Sequence, residues 1–183
     1  MTTGGVSRRR ADTRRNHESI LAAALAVLTE SGEVSFNAIA KRAQVGVGTV
    51  YRHFPTQDAL VLAVYRNEVQ HLVDVVPVLL REHPPKRAFD EWTDHLARYM
   101  ATKRGLGDAL RAVAVAQKDL FTASYEAMLG AVTTLLEANI EVGTVRADLE
   151  PVMVLRVLAA ILLSNPDEDW KQLTDLLWRG MHA

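Results

Sequence analysis

The residues with the clearest capacity for chemistry lie in one stretch, VGVGTVYRHFP at positions 45–55. Two glycines stand two positions apart, and Thr49, Tyr51, Arg52 and His53 follow with hydroxyl, guanidinium and imidazole groups. Small residues that permit close approach, followed by hydrogen-bond donors and a cation, suit the binding of oxyanions and above all of phosphate groups. Those phosphates belong either to a nucleotide or to the backbone of a nucleic acid.

A nucleotide-binding loop requires a context that this stretch lacks. A dinucleotide fingerprint needs a third glycine three residues after the second, where this chain has Tyr51, and it needs a preceding strand. A P-loop needs Gly-Lys-Ser/Thr, and the stretch contains no lysine. The sequence therefore favours contact with the phosphates of DNA.

No other group of residues predicts catalysis. The chain has no cysteine, which excludes disulfides, thiolate metal sites and cysteine nucleophiles. Glu91 and His95 stand four apart, a spacing that can chelate a metal on a helix, but no second cluster of ligands lies nearby. We interpret them as an exposed pair or as polar groups of a pocket. No active site can be assembled, so we predict no enzyme activity, no metal and no cofactor.

The charge of the chain is distributed unevenly. Residues 1–55 carry eight Lys/Arg and four Asp/Glu, a net charge of +4, whereas residues 56–183 carry thirteen and eighteen, a net charge of −5. A basic N-terminal part on an acidic body indicates that the N-terminal part meets a polyanion. A solvated basic tail would give the same charges and is the alternative interpretation.

Helical periodicity covers nearly the whole chain, and no segment alternates as a strand would. The predicted helices cover about residues 16–31, 35–43, 47–53, 56–83, 86–103, 105–115, 118–142, 151–164 and 170–181. Gly32 and Gly143 are placed to end two of them, and Pro77 is expected to kink or end the fourth. The predicted fold class is all-α, with about nine helices.

The second and third helices are short and are joined by a tight turn. Ser35 can cap the second helix. Val50 and Phe54 should hold the third helix to the domain, while Tyr51, Arg52 and His53 place donors on its outer face. A helix-turn-helix of this kind places its second helix in the major groove of DNA. The alternative is a helical turn that uses its glycines for packing, and the basic segment upstream makes this less attractive.

The segment ILAAALAVLTESG…FNAIAKRAQVGVGTVYRHFPTQDAL resembles the DNA-binding module of the TetR family of bacterial repressors over about residues 13–65. The shared features are the Ala-rich first helix ending in Glu30-Ser31-Gly32, the Ile39-Ala40 pair, and the run from Val45 to Tyr51 followed by Phe54 and Leu60. The resemblance implies a homodimer with one recognition helix of each subunit in a major groove. It also implies a C-terminal helical domain that binds a small effector and releases the DNA.

By position, the resemblance implies phosphate contacts for some residues and an approach to bases for others. Thr49, Tyr51 and His53 match phosphate contacts, Val47, Gly48 and Arg52 lie where bases are approached, and further contacts are expected from Asn37, Gln57 and Arg14. Two residues depart from the family pattern. Gln44 stands where the turn usually has glycine, so a positive φ there would cost about 1 kcal/mol. Gln57 stands where Lys or Arg is frequent.

Beyond residue 66 only the order and lengths of the helices resemble the family. An effector pocket is predicted among the middle helices, although each candidate could be plain core; the candidates are Trp92, Leu96, Tyr99, Met100, Leu110, Phe121, Tyr125 and Met128. The last two helices are more apolar than a surface helix requires, which predicts a four-helix dimer interface. Its candidate residues are Leu155, Leu158, Ala159, Leu162, Leu173 and Leu177, with a purely intramolecular core as the alternative.

The sequence thus predicts a basic flexible arm over residues 1–12, a helix-turn-helix domain over 13–55, and an effector-binding and dimerisation domain over 56–183 whose residues 56–81 form a connecting helix. The predicted function is a one-component transcriptional regulator in the cytoplasm, a repressor released by a small-molecule effector. Its expected partners are double-stranded DNA with an inverted-repeat operator, the unidentified effector and a second copy of the chain, and no membrane. The alternative is a helical enzyme or carrier whose N-terminal module mediates assembly only.

Overall fold

The structure, a computed structural model, describes residues 4–114, 117–164 and 169–182, with the side chains of residues 4–11 and of Ala114 outside the described part. Within those ranges the chain forms nine helices and no strand. The helices are α1 Gly4–Ser31, α2 Phe36–Arg42, α3 Val47–His53, α4 Gln57–Glu82, α5 Pro85–Gly105, α6 Gly107–Ala114, α7 Lys118–Glu141, α8 Pro151–Ser164 and α9 Trp170–Met181. The predicted all-α class is confirmed.

The first helix begins earlier than predicted. It starts at Gly4, whereas the sequence predicted a flexible arm over 1–12 and a helix from about residue 16. The prediction relied on apolar periodicity, which begins only at Ile20, the first buried residue of the helix whose burial is described. The preceding segment is rich in Arg, a good helix former, so its backbone continues the helix without an apolar face.

The fourth helix also departs from expectation, at Pro77. The helix continues through this proline to Glu82 and is not ended by it. Pro77 is exposed, so the backbone carbonyl that loses its hydrogen bond to the missing N–H can be hydrated.

The described chain divides into two compact units. The first comprises the residues up to Asn67 together with the segment that begins at Thr102 and contains α6. The second comprises Glu68–Ala101 together with the segment from Gln117. The unit that contains the helix-turn-helix therefore includes a segment from late in the chain. The predicted domain, which ended at residue 55, did not include this segment.

The first unit has a core shared by its short helices. Ile20, Ile39, Val50 and Leu60, from four different helices, are fully buried. The N-terminus of α2 is capped as predicted, because the Ser35 hydroxyl accepts a hydrogen bond from the Ala38 amide at 3.3 Å.

The late segment joins this core through a close approach of two backbones. A Cβ added at Gly105 would lie 3.5 Å from the Thr29 Cα and 3.8 Å from the Leu28 carbonyl oxygen. A Cβ at these distances would make ordinary van der Waals contact with α1, and Leu106 and Leu110, which follow Gly105, are almost fully buried.

The turn between α2 and α3 contains a residue in the left-handed conformation that the sequence analysis considered for Gln44. Gln44 has φ 56°, and it is the only residue other than glycine with a positive φ in the described part of the chain. A side chain with a Cβ is disfavoured by about 1 kcal/mol in this left-handed region, so the condition under which the sequence predicted a cost at Gln44 is met.

Replacing Gln44 by glycine is expected to raise the free energy of unfolding, by up to about 1 kcal/mol, because the strain is removed. Part of the gain is offset by the greater freedom of glycine in the unfolded chain. Urea unfolding of the two proteins measures the difference. The control is Ala43→Gly at the preceding residue, whose φ of −76° is ordinary, and this change should lower the stability. Equal losses in both variants would show that Gln44 stores no strain.

The second unit is organised around a buried tryptophan. Trp92 on α5 is fully buried, and its indole N–H donates to the Leu72 carbonyl on α4 at 2.8 Å. Asn139, also fully buried, donates through its amide to the carbonyls of Pro85 and Leu135 at 3.0 and 2.8 Å. These bonds satisfy polar groups that would otherwise be costly to bury, and they tie α7 to the start of α5.

Candidate nucleic-acid interface

Helix α3 has one buried side and one exposed side. Val50 and the adjoining Phe54 are 0% and 4% exposed and anchor the helix, as the sequence predicted. On the outer side Val47 is 39% exposed and Tyr51 is 54% exposed, and Arg52 is exposed as well. The helix therefore presents a hydroxyl and a guanidinium to solvent on a rigid support.

Tyr51 is held in place by an aromatic contact. Its ring centroid lies 4.6 Å from that of Phe36 on α2, with the planes tilted by 58°. Phe36 is buried, so one edge of an otherwise exposed tyrosine rests on the core. A fixed ring with an accessible hydroxyl is suited to a phosphate contact.

Arg52 is folded back onto its own helix. Its Nε donates to the Gly48 carbonyl and its Nη2 donates to the Thr49 hydroxyl, both at 3.1 Å. Arginine has five N–H donors, so three remain for a base or a phosphate. To extend into a groove of DNA, Arg52 must break these two hydrogen bonds and replace them with contacts to the DNA.

His53 lies beside a second imidazole that the sequence analysis did not identify. The ring centroid of His17 on α1 is 5.7 Å from that of His53 and 5.1 Å from that of Phe54. Burial is the main cause that lowers the pKa of His53, and the positive charges of His17 and Arg52 lower it further. His53 is therefore held in its neutral form more strongly than an ordinary histidine. The two histidines are 36 positions apart in sequence, and no pattern in the sequence indicated this contact.

DNA binding is expected to become tighter as the pH falls, through His53. A phosphate beside the imidazole stabilises its charged form, so binding raises a pKa that lies below its ordinary 6.5 in the free protein, and a proton is taken up. Dissociation constants for one duplex, measured from about pH 5.5 to about pH 8 at constant ionic strength, should show this slope. His53→Gln should flatten it, and His83→Gln, at a histidine outside α1–α3, should not. A slope that survives in His53→Gln would assign the proton elsewhere.

The two glycines at the tip of α3 are required neither by backbone conformation nor by packing. Gly46 has φ −69°, and the glycines with positive φ in the described chain are Gly32 and Gly143. A Cβ at Gly48 would meet no protein atom within 4 Å, and one at Gly46 would meet only the Thr49 hydroxyl, at 3.9 Å. The interpretation that these glycines serve internal packing is therefore wrong, and their small size is left to serve an approaching partner.

Gly48→Ala is expected to move stability and DNA affinity in opposite directions. Alanine in the helix should raise the free energy of unfolding by about 0.5–1 kcal/mol. The added methyl group should hold the helix away from DNA and weaken binding by about tenfold, which corresponds to about 1.4 kcal/mol. Gly130→Ala on α7 is the matched control, because a Cβ there also meets no atom within 4 Å. It should stabilise the protein and leave DNA affinity unchanged; the same affinity in both variants would contradict the close approach.

The remaining predicted DNA contacts are exposed, and two of them have partners within the protein. Asn37 is exposed on α2. The amide of Gln57 donates weakly, at 3.4 Å, to the Val34 carbonyl. Arg14 lies 3.7 Å from a carboxylate oxygen of Glu18. These contacts are long, so they leave the side chains available for phosphates.

A stronger pair on this surface was missed by the sequence analysis. The Nη1 of Arg42 lies 2.7 Å from both carboxylate oxygens of Glu30, which joins α1 to α2. The hydrogen bond and the charge of Arg42 lower the pKa of Glu30. One of the cations counted in residues 1–55 is thus partly neutralised before any nucleic acid is present.

The predicted pocket residues are mostly core. Trp92, Leu96, Tyr99, Met100 and Met128 are buried in the second unit, Phe121 is half-buried there, Tyr125 is 38% exposed, and Leu110 belongs to the first unit. A cleft of about 250 Å³ in the second unit has a different lining, which consists of Lys86, Phe89, Asp90, Thr93 and Asp94 from α5 and Trp170, Lys171, Thr174 and Asp175 from α9. Periodicity could not locate this cleft because most of its residues are polar.

The residues predicted for the dimer interface are buried or half-buried within the single subunit. Leu155, Leu158 and Leu162 are buried, whereas Ala159, Leu173 and Leu177 are half-buried. The exposed apolar side chains of α8 and α9 are their neighbours: Met153 (53% exposed), Val157 (37%), Leu163 (49%) and Leu176 (67%).

Glu91 and His95 have separate partners. Glu91 lies 3.5 Å from Arg87, and His95 contacts side-chain nitrogens of His71 and Arg98. In the described residues, no group of three or more His, Cys, Asp or Glu side chains is arranged to hold a metal ion. Likewise, none of the helices described has both the length and the apolar character needed to cross a membrane.

Two family models match the chain. One, for bacterial regulatory proteins of the tetR family, matches residues 20–64, and the other, for the C-terminal domain of SbtR-like transcriptional regulators, matches residues 84–183. A search of curated proteins found no match.

Solved structures of transcriptional regulators are similar to the chain over most of its length. A TetR transcriptional regulator from Streptomyces coelicolor is 39% identical, with 90% of this chain and 97% of that one covered and a TM-score of 0.83. A TetR transcription regulatory protein from Mycobacterium vanbaalenii is 32% identical, with coverages of 95% and 99% and a TM-score of 0.79. A regulatory protein TetR from Rhodobacter sphaeroides, 20% identical over 89% and 97% of the chains with a TM-score of 0.67, shares the fold.

Proposed function

The chain belongs to the TetR family of bacterial regulatory proteins and is a DNA-binding transcriptional regulator, not an enzyme; on this premise we propose that it is a repressor. We propose that it occupies an inverted-repeat operator as a homodimer in the cytoplasm, and that a small-molecule effector releases it. The outer face of α3 carries this proposal. Its donors are exposed and its glycines leave room that the protein itself does not use.

The contacts with DNA divide by chemistry. Thr49, Tyr51 and His53 bind phosphates, and these contacts fix the register of the helix on the duplex without reading sequence. Arg52 is the side chain of α3 that can read a guanine by a bidentate hydrogen bond. Val47 and Gly48 lie where the helix approaches the bases, and Arg14, Asn37 and Gln57 add contacts at its margins.

The burial of α8 and α9 supports an interface built from other residues than those first predicted. Leu155, Leu158 and Leu162 already fill the subunit core, so they support the interface from behind. We propose that Met153, Val157, Leu163 and Leu176 meet the partner subunit. Large apolar side chains that are this exposed leave apolar surface in contact with water in an isolated subunit. A two-fold interface uses the same surface of both subunits, so it would bury both copies of each side chain.

Effector binding is proposed for the second unit, which contains both the buried aromatic and methionine side chains predicted for the pocket and the cleft of about 250 Å³ between α5 and α9. Two recognition helices must stand about 34–36 Å apart to enter successive major grooves. A displacement of α4 would change that separation and place both half-sites out of register. The effector can shift the equilibrium only by its difference in affinity for the two states.

Selection of bound duplexes from a random-sequence pool tests the proposal. An inverted repeat should be enriched, and its affinity should fall steeply with salt because phosphate contacts release counterions. Failure to enrich any duplex would favour a helical carrier whose N-terminal module mediates assembly only. The selected site, located in the source genome, would point to the regulated genes and through them to the effector.

A further inference from the structure

Two nitrogen groups of the second unit converge on one nitrogen atom of a third side chain, His95. The Nε2 of His71 on α4 lies 3.0 Å from the Nδ1 of His95 on α5, and the Nη2 of Arg98 lies 2.8 Å from the same Nδ1. The two imidazole rings are 4.9 Å apart between centroids. His71 and Arg98 are exposed and His95 is half-buried, so solutes can reach the group, named here the His-Arg cluster.

When either of the two facing imidazole nitrogens carries a proton, the His-Arg cluster has more hydrogen-bond donors than acceptors. An unprotonated Nδ1 of His95 offers one lone pair, which cannot serve both His71 and Arg98 fully. If Nδ1 carries a proton, it can donate to His71, but the N–H of Arg98 then faces another N–H. If neither nitrogen carries a proton, Arg98 can donate to His95, but the lone pairs of His71 and His95 then oppose each other at 3.0 Å. Each tautomer therefore leaves one unfavourable contact within the cluster.

No carboxylate of the described chain relieves this unfavourable contact. Glu91, one turn before His95, is bound to Arg87, and Asp94 lines the cleft between α5 and α9. Burial, Arg98 and His71 together lower the pKa of His95, and they outweigh the opposite influence of Asp94 and Glu91. Burial and the neighbouring Arg98 and His71 therefore disfavour the charged form of His95 in the free protein.

We propose that the His-Arg cluster binds a small oxyanion, the carboxylate or phosphate group of a ligand. An oxyanion supplies several lone pairs, which can accept from Arg98 and from both imidazoles at once, and charge-assisted bonds of this kind are the strong ones. A metal cation does not fit, because the permanent charge of Arg98 lies 2.8 Å from the nitrogen that would ligate it. This site does not depend on DNA binding.

The site is expected to bind more tightly as the pH falls. The groups that face His95 are His71 from α4 and Glu91, Asp94 and Arg98 from α5. A bound anion adds negative charge, so the pKa of His95 rises from its lowered value and a proton is taken up on binding. The affinity is thus greatest below the pKa of the bound form and is lost as the pH rises.

The test follows the histidine rings of the full-length protein by NMR, without DNA, while inorganic phosphate or acetate replaces chloride at constant ionic strength. Saturable shifts of the His71 and His95 rings are expected, with a higher pKa for His95 in the bound form. Arg98→Gln should weaken binding by about tenfold or more, the loss typical of a charged hydrogen bond, and His71→Gln should weaken it less. Arg87→Gln, a matched loss of charge on the same helix, should not weaken it.

The outcomes separate the sources of the anion. A response to phosphate alone assigns a phosphate group, and a response to both anions assigns a general oxyanion that includes carboxylates. Absence of saturable shifts of His71 and His95 with either anion would overturn the site, as would equal effects of Arg98→Gln and Arg87→Gln. Each result stands whether or not the protein is found to bind an operator, because DNA is absent from the measurement.

Discussion

Met153→Asp is expected to convert the dimer into a monomer and to lower the affinity for a complete operator by about a hundredfold or more. Met153 is 53% exposed on α8, so a carboxylate is tolerated by the subunit itself. In the proposed interface it would face apolar side chains of the partner and would lose its water without gaining a counter-charge. A monomer binds each half-site separately and loses the high effective concentration that the second recognition helix has in a dimer.

Sedimentation of the variant at several concentrations gives its oligomeric state, and titration of a full operator and a half-operator gives the two affinities. The half-operator should bind nearly as before, because α3 is untouched. Val142→Asp is the matched control, since Val142 is 56% exposed in the same unit but lies on neither α8 nor α9. A dimeric Met153→Asp protein would place the interface on another surface.

Arg52→Ala is expected to weaken binding to the selected operator by about 10- to 100-fold, the equivalent of about 1–3 kcal/mol for a bidentate guanine contact. The same change should flatten the selected motif at the position that Arg52 reads. Stability should hardly change, because the two bonds to Gly48 and Thr49 are made by an exposed side chain. Parallel selections with the two proteins give both the motif and its affinity.

Tyr51→Phe provides the contrast. It removes one hydroxyl and preserves the ring contact with Phe36, so affinity should fall by about tenfold or less for all sequences alike. If Arg52→Ala left the motif unchanged and weakened all duplexes equally, Arg52 would be a phosphate contact like Tyr51, and specificity would have to come from the shape of the DNA.

Most helices could be predicted because apolar periodicity and stop signals agree along this chain. Gly32 and Gly143 have the positive φ values expected of residues that close helices. The start of α1 could not be predicted in this way, because the sequence before Ile20 has no apolar periodicity to reveal a helix. Helix α8 presents the opposite difficulty. It is apolar on nearly all sides, so its sequence does not tell which leucines face the subunit core and which face a partner.

The candidate site was predictable where it depended on local geometry. The inward direction of Val50 and Phe54 follows from spacing within α3. The hydrogen bond from Arg52 to its own helix depends on the side-chain rotamer. The contact of His17 with His53 depends on how α1 lies beside α3. Neither feature leaves a pattern in the sequence. The convergence of His71 on His95 is hidden for the same reason, since it joins two helices.

The place of Gly105 against α1 has a consequence for how the protein is made. During synthesis, helices α1, α2 and α3 leave the ribosome long before Leu106 and Leu110, which complete their core. The intervening loop of the chain must be closed first, and its closure costs conformational entropy. In a nascent chain, the helix-turn-helix unit should therefore not become fully stable until α6 has emerged from the ribosome. Competence to bind an operator would then arrive late in translation, when much of the second unit has also been made.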